Sequence, residues 1–159
     1  MKINFKLFWK VIFYIYILLL IDFIVFKFFG DVNDVKNNIQ LRHENVQIGV
    51  SNFNLIPFKT LSSYVSHLDV GVYFLNIVGN IIPFIPLGFL IPIVFPSKKS
   101  FIKTMISCLG IIICIEVIQF ITYLGSMDID DVILNQIACV IGYSLYLVSE
   151  KYLSRINGQ

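Results

Sequence analysis

Charge is what this sequence has least of. Only 14% of its 159 residues are charged and 57% are hydrophobic, against roughly 25% and 45–50% in an average soluble domain. So small a polar complement cannot cover a soluble core of this size, which excludes an ordinary water-soluble domain. Clustered cations are absent as well: the formal net charge is +2, no Lys/Arg patch is interleaved with aromatics, and no nucleic-acid partner is expected. Cys108, Cys114 and Cys139 lie inside apolar runs with no CxxC or Cys/His pattern, so all three read as packing residues rather than zinc ligands. His43 and His67 also lack ligand spacing. No nucleophile, base and orienter set of the kind that serine or cysteine catalysis requires can be assembled.

What the sequence has is apolar length. Its mean hydropathy is +0.83, and the apolar residues gather into four runs, about 7–29, 72–95, 104–124 and 132–149. Each approaches the roughly 20 residues that cross a bilayer. The expected fold is therefore all-α: a single membrane-embedded domain over 1–159, built as a polytopic bundle of four transmembrane helices in a lipid bilayer. Lys2, Lys6 and Lys10 precede the first run as in a signal peptide, but 11–29 is too long for a signal h-region and no small-x-small cleavage site follows. It reads as a retained helix.

Lys and Arg near span ends set orientation, because cytoplasmic loops carry the excess. Lys2, Lys6, Lys10, Lys98, Lys99, Lys103, Lys151 and Arg155 fall on one side; Lys36, Arg42 and Lys59 fall on the other with most of the acidic residues, and Lys27 lies near the outer end of the first span. Both termini are thus expected inside. The long outer loop, 30–71, begins polar and turns apolar at Phe53, Leu55, Ile56, Pro57 and Phe58, so its second half is expected to rest on the membrane or the bundle. Lys98 and Lys99, beside Pro96, predict a tight inner turn. Pro83, Pro86 and Pro92 each remove a backbone donor from the second span, which predicts a kink or a break there, tolerable where neighbours satisfy the backbone.

Ionisable groups inside a span face the bundle interior and often mark a site. Glu116 is the clearest, with Gln119 and Tyr123 on the same broad face of the third helix. Asn76 and Asn80 are four apart in the second span, and Asp131, Asn135, Ala138 and Gly142 form one stripe on the fourth if Asp128 opens that helix. The last two suit close helix approach. Counting residues from the helix ends brings Asn80, Glu116 and Asn135 into the outer half of the bilayer, beneath Asp128, Asp130 and Asp131. The expected binding site is Asn76, Asn80, Glu116, Gln119, Asp128, Asp130, Asp131 and Asn135, with Glu116 and Asp131 as the catalytic candidates if there is chemistry. In the competing reading these amides only join helices and Asp128 caps the fourth. Asp22 either joins the centre or lies near the outer surface. No cofactor is assigned. Asp128, Asp130 and Asp131 are weak metal candidates, because the DxDD run lacks the glycine and distal glutamate of an EF-hand loop.

Over 54–143 these residues form an ordered set: Asn54-Leu55-Ile56-Pro57-Phe58, Asn76, Gly79-Asn80, Phe84-Ile85-Pro86-Leu87-Gly88, Glu116, Gln119, Asp128-Ile129-Asp130-Asp131-Val132-Ile133-Leu134-Asn135 and Gly142-Tyr143. In this set the sequence resembles the VanZ-like integral membrane proteins. It departs at Pro83, at Ala138-Cys139 where a glycine pair is common, and at Gly125 where many members have arginine. The resemblance implies a multi-pass protein of the bacterial plasma membrane and cell envelope, associated for the family's namesake with lowered susceptibility to the antibiotic teicoplanin. Two functions follow. An outer-leaflet polar site could bind or present a cell-envelope lipid or the lipoglycopeptide itself, or the chain could be an integral-membrane enzyme acting on a lipid-linked envelope substrate. Translocation fits less well, because the inner halves of the spans are mostly apolar.

Overall fold

The computed structural model describes residues 5–26, 31–66 and 70–157. Six helices and one pair of two-residue strands appear among them: α1 (Phe5–Phe26), α2 (Val32–Gln47), β1 (Phe53–Asn54), α3 (Lys59–Ser66), α4 (Val70–Val94), α5 (Phe101–Thr122), β2 (Met127–Asp128) and α6 (Ile129–Asn157). Stretches of α1, α4, α5 and α6 are long and apolar enough to cross a membrane. A 22-residue helix such as α1 or α5 rises about 33 Å, enough for a hydrocarbon core of about 30 Å. Large apolar side chains face outward on these helices, among them Leu18 and Ile121, each 67% exposed. That surface suits lipid rather than water.

Helix α4 lies at the centre, with α1, α5 and α6 all packed on it and α5 also packed on α6. Small residues allow the closest approach. A Cβ on Gly88 of α4 would overlap the backbone carbonyl of Cys139, and one on Gly142 of α6 would overlap that of Ile85. The two helices therefore meet backbone to backbone at two points one turn apart, as small-residue faces permit in membranes. Leu87, Ile91, Cys108, Ile112, Ala138 and Cys139 belong to the buried apolar core around that seam.

Several expectations need adjusting. Although Pro83, Pro86 and Pro92 lie inside it, α4 is one unbroken helix. The Tyr16 hydroxyl donates to the Pro83 carbonyl at 2.8 Å and the Cys139 thiol lies 3.6 Å from the Phe84 carbonyl, so α1 and α6 both supply donors to this stretch. Cys114 is exposed whereas Cys108 and Cys139 are buried, because six residues turn a helix by about 600°, a third of a turn away from the Cys108 face. The fourth helix continues past Ser149 to Asn157. The turn at Pro96–Lys98 is a single 3-10 turn. Lys99 bonds Glu150 across it at 2.9 Å, which raises the lysine above its ordinary pKa, and the Tyr143 hydroxyl donates to the Lys99 carbonyl at 2.9 Å.

The connection between α1 and α4 is folded rather than a loop. Asp31 caps α2, accepting from the Asn33 N–H at 3.2 Å, and Asp34 lies in its first turn; both favour a helix N-terminus. β1 then runs parallel to β2, pairing Phe53 with Met127 and Asn54 with Asp128. This ties the α1–α4 connection to the α5–α6 turn on one face of the bundle, as alternation of four spans requires.

Candidate functional site

The α5–α6 turn is built from α5 outward. Tyr123 ends the helix in the left-handed region at φ +57°, and the Gly125 N–H returns to the Gln119 carbonyl at 3.2 Å. Gln119 thereby packs under the turn: a Cβ at Gly125 would lie 3.3 Å from its side chain. Three aspartates follow, each with different partners.

Asp128 opens α6, its Oδ1 accepting the Asp130 N–H at 2.9 Å, which is the capping role the competing reading gave it. The same carboxylate accepts the Asn54 amide at 3.1 Å and, through Oδ2, the Thr60 hydroxyl at 2.5 Å. Asp130 is 1% exposed and accepts three backbone N–H groups: Phe58 at 2.5 Å through Oδ1, and Thr60 at 2.9 Å and Leu61 at 3.1 Å through Oδ2. It caps α3 from another element, its buried oxygens accepting the free N–H groups of a helix end. Asp131 points the other way and accepts the Asn80 amide of α4.

Deeper in the bundle, Glu116 of α5 is 3% exposed, and its Oε2 lies 3.5 Å from the Asp128 N–H. One turn of α6 below Asp131, about 6 Å along the axis, Asn135 is 2% exposed. Its Oδ1 is buried without a hydrogen-bond partner, which costs free energy unless something donates to it. Helices α4, α5 and α6 thus each bring a buried polar side chain to the acidic face: Asn80, Glu116 and Asn135. Hydrogen bonds join Asn80 to Asp131 and Asp128 to Glu116. Asn76 lies in α4, but its side chain falls outside the described residues, as does His67. Asp22 is exposed on α1 and does not join the centre.

The aspartates divide chemically. The oxygens of Asp128 and Asp130 are occupied by donors from 54–61 and from α6 itself, which suits a latch. No group of three or more His, Cys, Asp or Glu among the described residues could hold a metal ion. Glu116, Asp131 and Asn135 carry their acceptor oxygens on α5 and α6 on the bundle side of the turn, where Asp131 takes the Asn80 amide and Glu116 the Asp128 N–H.

Comparison with known proteins follows the same residues. The VanZ/LLP1 family model matches residues 13–150. The chain belongs to the VanZ/LLP1 family. It is 28% identical over 141 residues to Protein VanZ of Enterococcus faecium, covering 89% of this chain and 74% of that one. No solved structure matches. The matched region contains every element of the site, including the latch segment, so the acidic turn and the 52–61 strap lie within the VanZ/LLP1 fold.

Asn52, Asn54 and Thr60 complete the site although their spacing on the chain gave no reason to single them out. The Asn52 side-chain amide donates to the Gly125 carbonyl at 3.2 Å, and the Asn52 backbone carbonyl accepts the Met127 N–H at 3.2 Å. Arg42 of α2 donates to Asn52 Oδ1 at 3.4 Å, and His43 sets its ring edge-on to Tyr123 at 5.1 Å. Gly125 leaves the turn itself without a cation, yet Arg42 brings one to it through Asn52. Partial burial lowers the pKa of that guanidinium, and its Nε is buried without a hydrogen-bond partner. The signal that could have found these residues was the Asn54-Leu55-Ile56-Pro57-Phe58 run itself. A turn sequence rich in exposed apolar residues has to be held by something, and four acceptor oxygens lie in the aspartate pair of the other connection.

Proposed function

We propose that this chain is a plasma-membrane protein of the bacterial cell envelope that lowers susceptibility to teicoplanin-type lipoglycopeptides through the polar centre of Asn80, Glu116, Asp131 and Asn135. Kinship with Protein VanZ carries the antibiotic part of this reading. The buried acceptor of Asn135, one turn along α6 from Asp131, supports the site. Its role is to bind or present a donor-bearing envelope component, lipid or lipoglycopeptide, without turnover.

The Lys/Arg distribution supports an orientation with both termini cytoplasmic, which places the acidic face and the polar centre in the outer half of the membrane. Phe53, Leu55, Ile56 and Phe58 expose 54–60% of their surface there while their backbone is tied to α6. That apolar edge suits the outer leaflet, where an acylated drug or an envelope lipid would lie.

The test is expression in a susceptible host challenged separately with teicoplanin and vancomycin. The wild-type chain should raise the inhibitory concentration of teicoplanin more than that of vancomycin. Glu116→Gln, which keeps shape and removes a possible charge, should abolish the shift at unchanged abundance, and Lys99→Gln at the opposite face should leave it intact. A wild-type chain that shifts neither drug would remove the proposal.

A further inference from the structure

A groove of about 520 Å³ opens between α1 and α5. Leu20 of α1 and Ile111 and Ile115 of α5 form its floor, partly or wholly buried against the core. Along α5 it extends from Ile106 to Ile118, about 18 Å at 1.5 Å per residue, through the middle of the helix to within about one turn of its end at Thr122. The volume is that of a ligand site, within the usual range of about 300–1,000 Å³.

The groove's chemistry is apolar along its length and cationic at one end. Ser107 in its wall turns its hydroxyl back to the Lys103 carbonyl at 2.8 Å, so it offers no free donor. Gly110 faces open space, with nothing within 4 Å of where a Cβ would be. That glycine weakens the helix by about 1 kcal/mol relative to alanine and relieves no packing conflict. Lys98 lines the mouth. Its neighbour Lys99 is taken up by Glu150, whereas Lys98 has no carboxylate within ion-pair distance among the described residues and lies over the Phe95 ring at 6.0 Å.

From this geometry we propose that the groove holds one acyl chain of an anionic glycerophospholipid, drawn from the leaflet on the Lys98 side, with the headgroup phosphate at Lys98. The apolar trench takes the chain and the unpaired ammonium selects the charge. A lone cation at a membrane surface contributes about 1 kcal/mol toward an anionic lipid, so the preference over a zwitterionic lipid of the same tails is several-fold rather than absolute. Its cationic mouth lies at the end of the bundle opposite the acidic turn, its lining contains none of Asn80, Glu116, Asp131 or Asn135, and it does not rest on any antibiotic role.

The full-length chain reconstituted in phosphatidylcholine vesicles, doped with phosphatidylglycerol carrying a photoreactive acyl chain, tests the proposal. After illumination, peptide mapping should find the label concentrated on the α5 segment 106–118 and on α1 near Leu20. Phosphatidylcholine with the same photoreactive tail should label these sites several-fold less. Lys98→Gln should abolish the headgroup preference while leaving the label in place, and Gly110→Leu should reduce labelling by both lipids. The wild-type map decides the matter even if a variant folds poorly. Label spread evenly over the exposed faces of α5 and α6, or equal labelling by the two headgroups, would overturn the proposal. So would efficient disulfide formation between Cys114 residues of two chains in the same vesicles, because a second copy would then cover the groove.

Discussion

Phe58, held in the left-handed region at φ +64°, donates its backbone N–H to Oδ1 of Asp130 at 2.5 Å. A bulky residue in that conformation costs about 1–2 kcal/mol, so the bend persists because the carboxylate collects three N–H groups there. Asp130→Ala would leave those donors without an acceptor, each costing about 1–3 kcal/mol if it stays buried. The strap should therefore undock rather than tolerate the loss. We expect trypsin to cut after Lys59, the first residue of α3, at least about tenfold faster in the variant, since 1.4 kcal/mol is already a factor of ten. The four long helices should keep their helical circular dichroism. Cleavage at the wild-type rate would show that Asp130 is not the latch.

Two glycines on the long helices should respond in opposite directions. At Gly142 even alanine drives a Cβ into the Ile85 carbonyl, so α4 and α6 must separate, and overpacking of this kind costs about 1–3 kcal/mol or more. At Gly110 the same substitution meets open space and should be neutral or stabilising by up to about 1 kcal/mol. Thermal unfolding in detergent reads both. A Gly142→Ala protein as stable as wild type would mean that the α4–α6 seam is looser than described.

How much of this was legible in the sequence depends on where each partner lies. The four spans follow from length and hydropathy, and their observed ends fall within a few residues of the expected ones except at the C-terminal end of α6. There the charges of Glu150, Lys151 and Arg155 weaken the hydropathy signal, and the chain meets no glycine or proline before Gly158. The same blindness hid α2, polar on nearly every side with only Val35 buried. Counting residues from the helix ends brought Asn80 to the level of the acidic turn, and the structure bonds it to Asp131. The strap was illegible because Asp128 and Asp130 take their partners 68–74 residues away, a relation that no periodicity along one helix reveals.

Sidedness is the next test. With Cys114 replaced by alanine, cysteines placed singly at Asn38 in α2 and at Ser100 before α5 should react differently with an impermeant maleimide applied to intact cells. Asn38→Cys should label and Ser100→Cys should label only after the membrane is opened. Labelling of Ser100→Cys from outside would invert the orientation and move the polar centre to the inner leaflet.

The bond between Asn80 and Asp131 allows scaffold and function to be separated. Asp131→Asn alone sets two amides against each other, and Asn80→Asp alone sets two carboxylates against each other. Both single variants should lose stability, the second more, because like charges in a poorly solvated site repel strongly. Combined, they restore one amide and one carboxylate with the roles exchanged, so the double variant should recover most of the stability and abundance. The coupling expected for a hydrogen-bonded pair is about 0.5–3 kcal/mol. If the pair only joins α4 to α6, any teicoplanin phenotype should return together with abundance. If the carboxylate must project from α6, one turn above Asn135, abundance should return and the phenotype should not. We expect the second outcome. Full recovery of the phenotype in the exchanged pair would reduce Asp131 to a structural residue and leave Glu116 and Asn135 to carry the site.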